Sequence, residues 1–302
     1  MVSREAIIMV EVKDCPGCGA NSFNEVFKAP YFRGDGELFS IKECDACKFW
    51  LTSPRPADDE LGSYYETGEY ISHNDKKEGL VDQLYHAVRN ISLKRKLALI
   101  TKASGSIGAL LDFGAGTGHF ANVANIAGWK VTGVEPSAEA RKVAKETNGL
   151  DLIGPEDMEW DAALYNVITL WHVLEHLPDL NGHLHKFENS LKPGGALIVA
   201  VPNHESLDSN IYKESWAALD VPLHLYHFKK QNIEQLGKKH GFILEVVKNM
   251  PFDSFYVSLL SEKVKNGKQN YVKAFINGIK SNLRGRSDKN QSSLIYILRK
   301  PI

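Results

Sequence analysis

From residue 109 onward, short apolar runs alternate with segments of helical periodicity, and this alternation restricts the fold more than any other feature of the sequence. Near-continuous apolar strands joined by helices are typical of a parallel sheet that is covered on both faces. The pattern therefore predicts a doubly wound α/β fold, which binds ligands at the carboxyl ends of its strands. The runs are ALLDF (109–113), KVTGVEP (130–136), LDLIG (150–154), YNVITLW (165–171) and GALIVAVPN (195–203).

A glycine-rich turn follows the first run, in the stretch LLDFGAGTGHF. Glycines at 114, 116 and 118 let the backbone between a strand and a helix approach a ligand closely. The dinucleotide fingerprint G-x-G-x-x-G would need a glycine at position 119, where this chain has His119. The spacing G-x-G-x-G therefore indicates a nucleoside-binding turn of a different kind.

An acidic residue, Glu135, closes the second run, 23 residues after Asp112. A carboxylate at that place can accept hydrogen bonds from both ribose hydroxyls of a nucleoside. The same carboxylate disfavours a 2′-phosphate, so we do not expect a phosphorylated nicotinamide cofactor.

Four motifs in order resemble the class I S-adenosylmethionine-dependent methyltransferases: LLDFGAGTGHF, VTGVEPS, LWHVLEHLPD and SLKPGGALIVAVPN. The resemblance covers about residues 105–250. It implies a Rossmann-like, seven-stranded sheet in which the last run, SSLIYILRK, is an antiparallel strand inserted at the edge. It does not explain the insert at 251–291. It implies S-adenosylmethionine as the cofactor, held by Asp112, Gly114, Gly116, Gly118, Glu135, Trp171 and His172.

The stretch WHVLEH also contains H-x-x-E-H, the spacing with which some zinc proteases place two histidine ligands on one helix. Pro178 lies two residues beyond His176 and cuts such a helix short. In the resembling family, this stretch is the turn from the fourth strand into a short helix beside the cofactor's methionine end. We therefore favour a cofactor contact for His172, and for His176 a packing or loop-orienting role is an equal alternative.

All four cysteines lie in the first 47 residues, as two C-x-x-C pairs: Cys15 with Cys18, and Cys44 with Cys47. Two such pairs, 25 residues apart, are the signature of a zinc ribbon with four thiolate ligands. Gly17 and Gly19 are expected to supply the unusual backbone angles of the first turn. Disulfides are the alternative, but we expect a cytoplasmic protein because no signal peptide is evident, and thiols stay reduced in the cytoplasm.

The segment 202–228 follows the fifth strand and is rich in histidine. Related enzymes have a similar segment near the methyl acceptor, so the candidates for a base are His224 first, then His227 and Tyr226. The alternative is a solvated loop whose histidines pack or cap helices. Tyr64, Tyr65 and Tyr70 resemble an aromatic lid, although a plain surface loop fits them equally well.

These patterns predict three parts: a zinc-ribbon-like domain at 1–56, a linker and lid helix at 57–104, and a methyltransferase domain at 105–302. The formal net charge is -1, which gives no general attraction to nucleic acid or anionic membranes. We expect methyl transfer to a small molecule such as a sugar, a quinone or another metabolite, with no membrane partner. The sequence leaves the oligomeric state open.

Two other functions stay open. One is an RNA methyltransferase with the ribbon as its RNA-binding head. Against it, residues 1–56 hold seven basic and eight acidic side chains, which is not a footprint for phosphate. The other is a non-catalytic module that keeps the fold. The intact glycine turn and Glu135 argue against that.

Overall fold

The structure is a computed structural model that describes residues 7–65 and 80–302. Its strands, in chain order, are β1 (Met9–Val10), β2 (Phe23–Pro30), β3 (Leu38–Cys44), β4 (Trp50–Thr52), β5 (Arg55–Pro56), β6 (Ala109–Phe113), β7 (Lys130–Val134), β8 (Tyr165–Trp171), β9 (Leu191–Pro202), β10 (Tyr226–His227), β11 (Ile243–Asn249) and β12 (Ser293–Arg299). Its α-helices are α1 (Gly62–Tyr65), α2 (Leu80–Ser104), α3 (His119–Ile126), α4 (Ala138–Asn148), α5 (Leu180–Ser190), α6 (Leu207–Tyr212), α7 (Lys230–Lys239), α8 (Asp253–Asn266) and α9 (Tyr271–Asp288).

The central sheet has six strands in the order β11-β12-β9-β8-β6-β7. The adjacent pairs β7–β6, β6–β8 and β8–β9 are parallel, and β12 is antiparallel to both β9 and β11. Side chains of β6, β8 and β9 alternate between two buried layers, one containing Leu111 and Ile168 and the other Leu110 and Val167. The doubly wound α/β fold predicted from the sequence is confirmed.

Two details of the sheet differ from the prediction. The run LDLIG forms a single parallel bridge, between Ile153 and Val134, instead of a seventh strand. Strand β12 is antiparallel as predicted, but β11 and not β12 is the edge strand. An inner position suits β12, because Leu294, Tyr296 and Leu298 are all buried.

Helices α4 and α5 begin at ordinary capping residues. Ser137 caps α4 by accepting a hydrogen bond from the amide of Ala140, and Gly149 ends that helix with a φ of 66°. Asp179, directly after Pro178, caps α5 through the amide of Gly182. These caps fix where α4 and α5 leave the carboxyl edge of the sheet. No described helix has the length and apolar character that crossing a membrane requires.

The cysteine-containing segment folds into a small antiparallel sheet of order β10-β4-β3-β2. Its fourth strand, β10, comes from the predicted methyltransferase part, with Tyr226 opposite Leu51 and His227 opposite Trp50. Cys15, Cys44, Phe49 and Leu51 also belong to the same apolar core as the central sheet. The division at residue 56 stays a prediction about the chain, and in space the two parts share a core.

The insert at 251–291 forms the helices α8 and α9, which pack against each other. Behind them, the buried carboxylate of Asp208 accepts hydrogen bonds from Trp216, Ser281 and Ser292. The segment 202–228 is therefore packed under the insert and is not a solvated loop. Tyr64 is buried against Tyr31 and Phe39, and Tyr70 and the Tyr65 side chain lie outside the described residues.

Candidate functional site

The glycine turn after β6 keeps its backbone open on one side. Gly114, Gly116 and Gly118 have φ values of 77°, 55° and 77°, and residues with a side chain adopt such values only with strain. A β-carbon on Gly114 would lie 2.3 Å from a methyl of Val173, whereas a β-carbon on Gly116 would meet no described atom within 4 Å. Gly114 thus permits close packing inside the protein, and Gly116 presents bare backbone to open space where a ligand can lie.

Glu135 holds this turn in place. Its carboxylate accepts hydrogen bonds from the amides of Gly116, at 2.8 Å, and Ser137, at 3.0 Å. Burial raises the pKa of Glu135, opposed by these two hydrogen bonds. Each carboxylate oxygen has capacity for one more hydrogen bond, so the residue can both shape the turn and accept from ribose hydroxyls.

Asp112, near the end of β6, is fully enclosed and accepts a 2.8 Å hydrogen bond from the Thr169 hydroxyl on β8. Burial raises the pKa of Asp112 to about 6. Lys96 on α2 lies on the same side, with its ammonium 4.3 Å from the centre of the Trp171 ring. Burial lowers the pKa of Lys96, and the charges of Asp112 and Asp253 oppose that change.

His172 follows β8 and contacts two carboxylates. Its Nε2 lies 3.0 Å from Asp253 Oδ2, and its Nδ1 lies 3.4 Å from Glu175 Oε1. Burial opposes its charge, but the hydrogen bonds with Asp253 and Glu175 raise the pKa of His172 to about 10. Its φ of 60° is a left-handed conformation that is uncommon outside glycine. His172 is therefore an imidazolium at neutral pH and is not a base.

The three residues predicted as bases have different surroundings. His224 is buried, its Nδ1 lies 2.9 Å from the Ala218 carbonyl, and burial holds its pKa well below the usual value. His227 faces the small sheet, 3.1 Å from the Thr52 hydroxyl. The Tyr226 hydroxyl donates to the Pro178 carbonyl, and burial raises the pKa of Tyr226 to about 12. His224 is thus neutral and lies close to His176, with ring centres 4.6 Å apart.

The four cysteines come together as predicted. The sulfur atoms of Cys15 and Cys47 are 3.5 Å apart, and those of Cys18 and Cys44 are 3.6 Å apart. A tetrahedral Zn²⁺ with bonds of ~2.3 Å needs sulfur atoms roughly 3.8 Å apart, so the cluster fits this ion. Burial raises the pKa of the Cys15 thiol, and that of Cys47 to about 11. A metal would therefore have to displace protons as it binds.

The two glycines of the first cysteine turn have different tasks. Gly19 has a φ of 79°, as expected, and its amide donates to the Cys15 carbonyl. In the second turn the same place is taken by Lys48, with a φ of 59°. Gly17 has no positive φ, contrary to the prediction. A β-carbon there would lie 3.3 Å from Phe49 and 3.5 Å from the Cys47 sulfur, so Gly17 leaves room.

Sequence reasoning missed Lys96 and Asp253. Lys96 lies in α2, where the sequence showed only the helical spacing of the apolar residues. Asp253 is the first residue of α8, inside the insert that the motifs did not explain. Lys96 also lines a cavity of about 660 Å³ on the side of α2 that faces β11. That cavity is cationic, with Arg95, Lys96, Lys102, Lys248, Arg286 and Lys289 in its wall. It is separate from the glycine turn.

The sequence model of the methyltransferase domain matches residues 85–247, which is more than half of the 302 residues. The chain belongs to the methyltransferase-domain family. The chain is similar to an uncharacterized methyltransferase of Bacillus cytotoxicus, with 32% identity over 32% of this chain and 47% of that protein. It is similar to the ubiquinone biosynthesis O-methyltransferase of Haemophilus ducreyi, with 32% identity over 34% of this chain and 49% of that one.

The mitochondrial ubiquinone biosynthesis O-methyltransferase of Rattus norvegicus is 23% identical over 48% of this chain and 47% of its own length. The chain thus spans about half the length of the curated relatives it matches. Among solved structures, a phosphoethanolamine N-methyltransferase of Haemonchus contortus in complex with S-adenosylmethionine gives a TM-score of 0.48 at 23% identity. That alignment covers 69% of this chain and 53% of the other.

Proposed function

We propose that this methyltransferase transfers a methyl group from S-adenosylmethionine to a small-molecule acceptor. The observation that carries the proposal is the pairing of Gly116 with Glu135 inside a methyltransferase domain. Gly116 exposes backbone to open space, and the Glu135 carboxylate that binds its amide has capacity left for ribose hydroxyls. A turn that is already held in shape loses little conformational freedom when the nucleoside binds.

When bound, S-adenosylmethionine supplies a methyl group that is already activated by the positive sulfur. The chain's own residues then have to orient the cofactor and the acceptor in line, and positioning of this kind accounts for much of the rate of such reactions. We propose that Glu135 holds the ribose and that Trp171 and His172 border the methionine end.

The proposed acceptor is a small molecule, for which the ubiquinone biosynthesis relatives are precedents. A second function as an RNA methyltransferase has no supporting observation, because the described small sheet and its ion pairs carry both signs of charge. Of the three bases predicted from sequence, His224 and His227 are neutral imidazoles, because burial lowers the pKa of each. His227 and Tyr226 stay predictions, with both side chains engaged by Thr52 and Pro178.

Glu135→Ala tests the cofactor proposal. We expect the variant to bind S-adenosylhomocysteine more weakly by about 2–4 kcal/mol, because two charge-assisted hydrogen bonds are lost. That is roughly a 30- to 1,000-fold rise in Kd by calorimetry. Glu139→Ala, an exposed change on α4, is the matched control and should bind as the wild type does. Unchanged affinity in Glu135→Ala, with circular dichroism showing a folded protein, would refute the assignment.

We also propose that Cys15, Cys18, Cys44 and Cys47 bind one structural Zn²⁺. Support comes from the sulfur spacing and from the number of thiolates, since four protein ligands fill a tetrahedral coordination sphere and leave no position for a substrate. Elemental analysis of protein purified without added metal should find zinc bound by these thiolates. Cys18→Ser should lower the zinc content by one ion per chain, and an unchanged content would contradict the proposal.

A further inference from the structure

Three side chains outside the cysteine cluster are arranged as metal ligands. Glu175, His176 and His224 each offer a ligand atom, and these atoms all lie within 4.8 Å of one another. Glu175 and His176 belong to a single helical turn at Leu174–His176, directly after β8. His224 belongs to the packed segment before β10. The sequence motif H-x-x-E-H thus contributes two ligands, but the third group comes from about 50 residues downstream and not from His172.

Both imidazoles are oriented by backbone carbonyls. His176 Nδ1 lies 3.0 Å from the Leu223 carbonyl oxygen, and His224 Nδ1 lies 2.9 Å from that of Ala218. Because a carbonyl can only accept, Nδ1 carries the proton in each ring and Nε2 carries the lone pair. Metal-binding histidines usually show this arrangement, in which a second hydrogen bond fixes the tautomer and the direction of the ligand nitrogen.

The carboxylate of Glu175 provides an independent indication of a cation. Glu175 is 0% exposed, and neither of its oxygens has a hydrogen-bond partner among the described residues. His172 Nδ1 lies 3.4 Å from Oε1, longer than an ordinary hydrogen bond, and its other nitrogen bonds to Asp253. The charged His172 ring faces Oε1 at that distance, whereas Oε2 has no donor among the described residues, and a bound cation would stabilise this buried oxygen.

The backbone holds the two segments together. The Leu225 amide donates to the Glu175 carbonyl at 2.8 Å, close to the contact of His176 with Leu223. The three ligands are therefore placed by packed backbone, which suits a preformed site. Glu175 and His224 are buried, whereas His176 is partly exposed, so the cluster is reached from the His176 side.

We propose that Glu175, His176 and His224 bind one divalent transition-metal ion and leave part of its coordination sphere open. Two imidazoles and one carboxylate suit Zn²⁺, Mn²⁺ or Fe²⁺, and sites with three protein ligands commonly keep a position for water or substrate. In the proposed methyltransferase, an oxygen atom of the acceptor takes that position. The placing of the acceptor oxygen on the ion rests on the proposed function, whereas the metal site itself does not.

The site changes the role of His224. An imidazole whose Nε2 binds a metal has no lone pair for a proton, so His224 orients the acceptor through the ion and is not the base. The metal's positive charge lowers the pKa of an oxygen bound to it, which makes a hydroxyl acceptor easier to deprotonate. The class of acceptor is thus one with an oxygen donor.

Mn²⁺ is the first probe, because it prefers oxygen and nitrogen ligands to the thiolates of the cysteine cluster. We expect electron paramagnetic resonance to show one Mn²⁺ bound per wild-type chain. Glu175→Gln, which keeps the shape of the side chain, and His224→Asn should each weaken binding at least tenfold. They should also contain one zinc fewer than the wild type after equilibration with Zn²⁺. His185→Asn, an exposed histidine on α5, is the matched control and should keep both values.

Open coordination is tested on Co²⁺-loaded wild-type protein. Acetohydroxamate, a bidentate oxygen ligand, should change the ligand-field spectrum of the bound ion. An unchanged spectrum would refute the proposal that an acceptor oxygen binds the ion. Wild-type protein that binds S-adenosylhomocysteine but no Mn²⁺ and no second zinc overturns the metal site and leaves the methyltransferase proposal standing. Wild-type protein that binds the metal but no S-adenosylhomocysteine supports the metal site and overturns the methyltransferase proposal. If His224→Asn fails to fold, the comparison of Glu175→Gln with the wild type still tests the metal site.

Discussion

At the scale of single residues, Gly114 and Gly116 share a left-handed backbone but differ in what surrounds them. Gly114 faces Val173 inside the protein, and Gly116 faces open space. The sequence shows the two glycines as equivalent members of one motif. The structure separates a glycine needed for packing from a glycine needed for a ligand.

This difference predicts opposite rankings in two measurements. Gly114→Ala should destabilise the fold by about 2–5 kcal/mol, from backbone strain plus the clash with Val173. Gly116→Ala should cost only about 1–2 kcal/mol, from strain alone. In Gly116→Ala, however, the added methyl lies where the cofactor is proposed to bind, so S-adenosylhomocysteine affinity should fall further than stability does. Urea denaturation and calorimetry measure the two quantities, and equal stability losses in both variants would contradict this interpretation.

The sequence predicted the residues that act through backbone geometry better than those that act through tertiary contact. The glycine turn, the acid at the end of β7 and the cysteine pairs were visible because their function requires fixed spacing along the chain. The contacts of His172 with Asp253, and of Glu175 with His224, join segments far apart in sequence. No local pattern specifies them. For the same reason, H-x-x-E-H shows Glu175 and His176 but not His224.

At the scale of elements, the short strand β10 connects the cysteine-bearing sheet to the acceptor-side segment. Tyr226 and His227 pair with β4, and the Thr52 amide donates to the Leu225 carbonyl. The Thr52 hydroxyl donates to the carbonyl of His224 itself. A metal that orders the cysteine turns thereby supports the position of His224, although the ribbon contributes no side chain to the proposed cofactor site.

We therefore expect loss of zinc to loosen the acceptor side. In Cys44→Ser, the amides of residues 225–228 should exchange hydrogen about tenfold faster or more, which corresponds to at least ~1.4 kcal/mol of local stability. The amides of β6, which are paired with β7 and β8 inside the central sheet, should keep their protection and serve as the internal control. Unchanged exchange at 225–228 would show that the two sheets are independent in stability.

The motifs left the insert at 251–291 unexplained, and the contacts of its two helices explain its place in the fold. Helix α8 begins at Asp253, whose carboxylate holds His172, and the wall behind α8 and α9 buries Asp208 and Trp216. The insert therefore borders His172. Its sequence could not reveal this, because Asp253 and Ser281 contact His172 and Asp208, which lie more than 70 positions away.

At the scale of the whole molecule, several ionisable groups are buried in the form that is uncharged. Burial is the main cause that lowers the pKa of His204 to about 3, with the charge of Lys229 acting in the same direction, and burial lowers that of His227 to about 3. Both histidines would titrate near 6.5 in the unfolded chain. Asp112 is the opposite case, because burial raises its pKa to about 6.

The signs of these shifts determine how stability depends on pH. As the pH falls below 6.5, the unfolded chain takes up protons at both histidines while the folded protein does not, so stability falls by about 1.4 kcal/mol per pH unit for each. Asp112 acts the other way between about pH 6 and 4, because the folded state binds its proton first. His224, whose pKa burial also lowers, adds a loss of the same sign, so the buried histidines outweigh Asp112 and stability falls with pH over that window.

Urea denaturation at several pH values between 6 and 4.5 should show this loss. His227→Gln, which keeps a hydrogen-bonding group near Thr52, should reduce the slope by about 1.4 kcal/mol per pH unit, which is the contribution of one histidine. Asp112→Asn should steepen the slope by about 1.4 kcal/mol per pH unit, because it removes the carboxyl that opposes the histidines. His185→Gln, an exposed change, should reproduce the wild-type slope. If the His227→Gln and wild-type slopes are the same, His227 does not stay neutral in the folded protein and its burial has been misjudged.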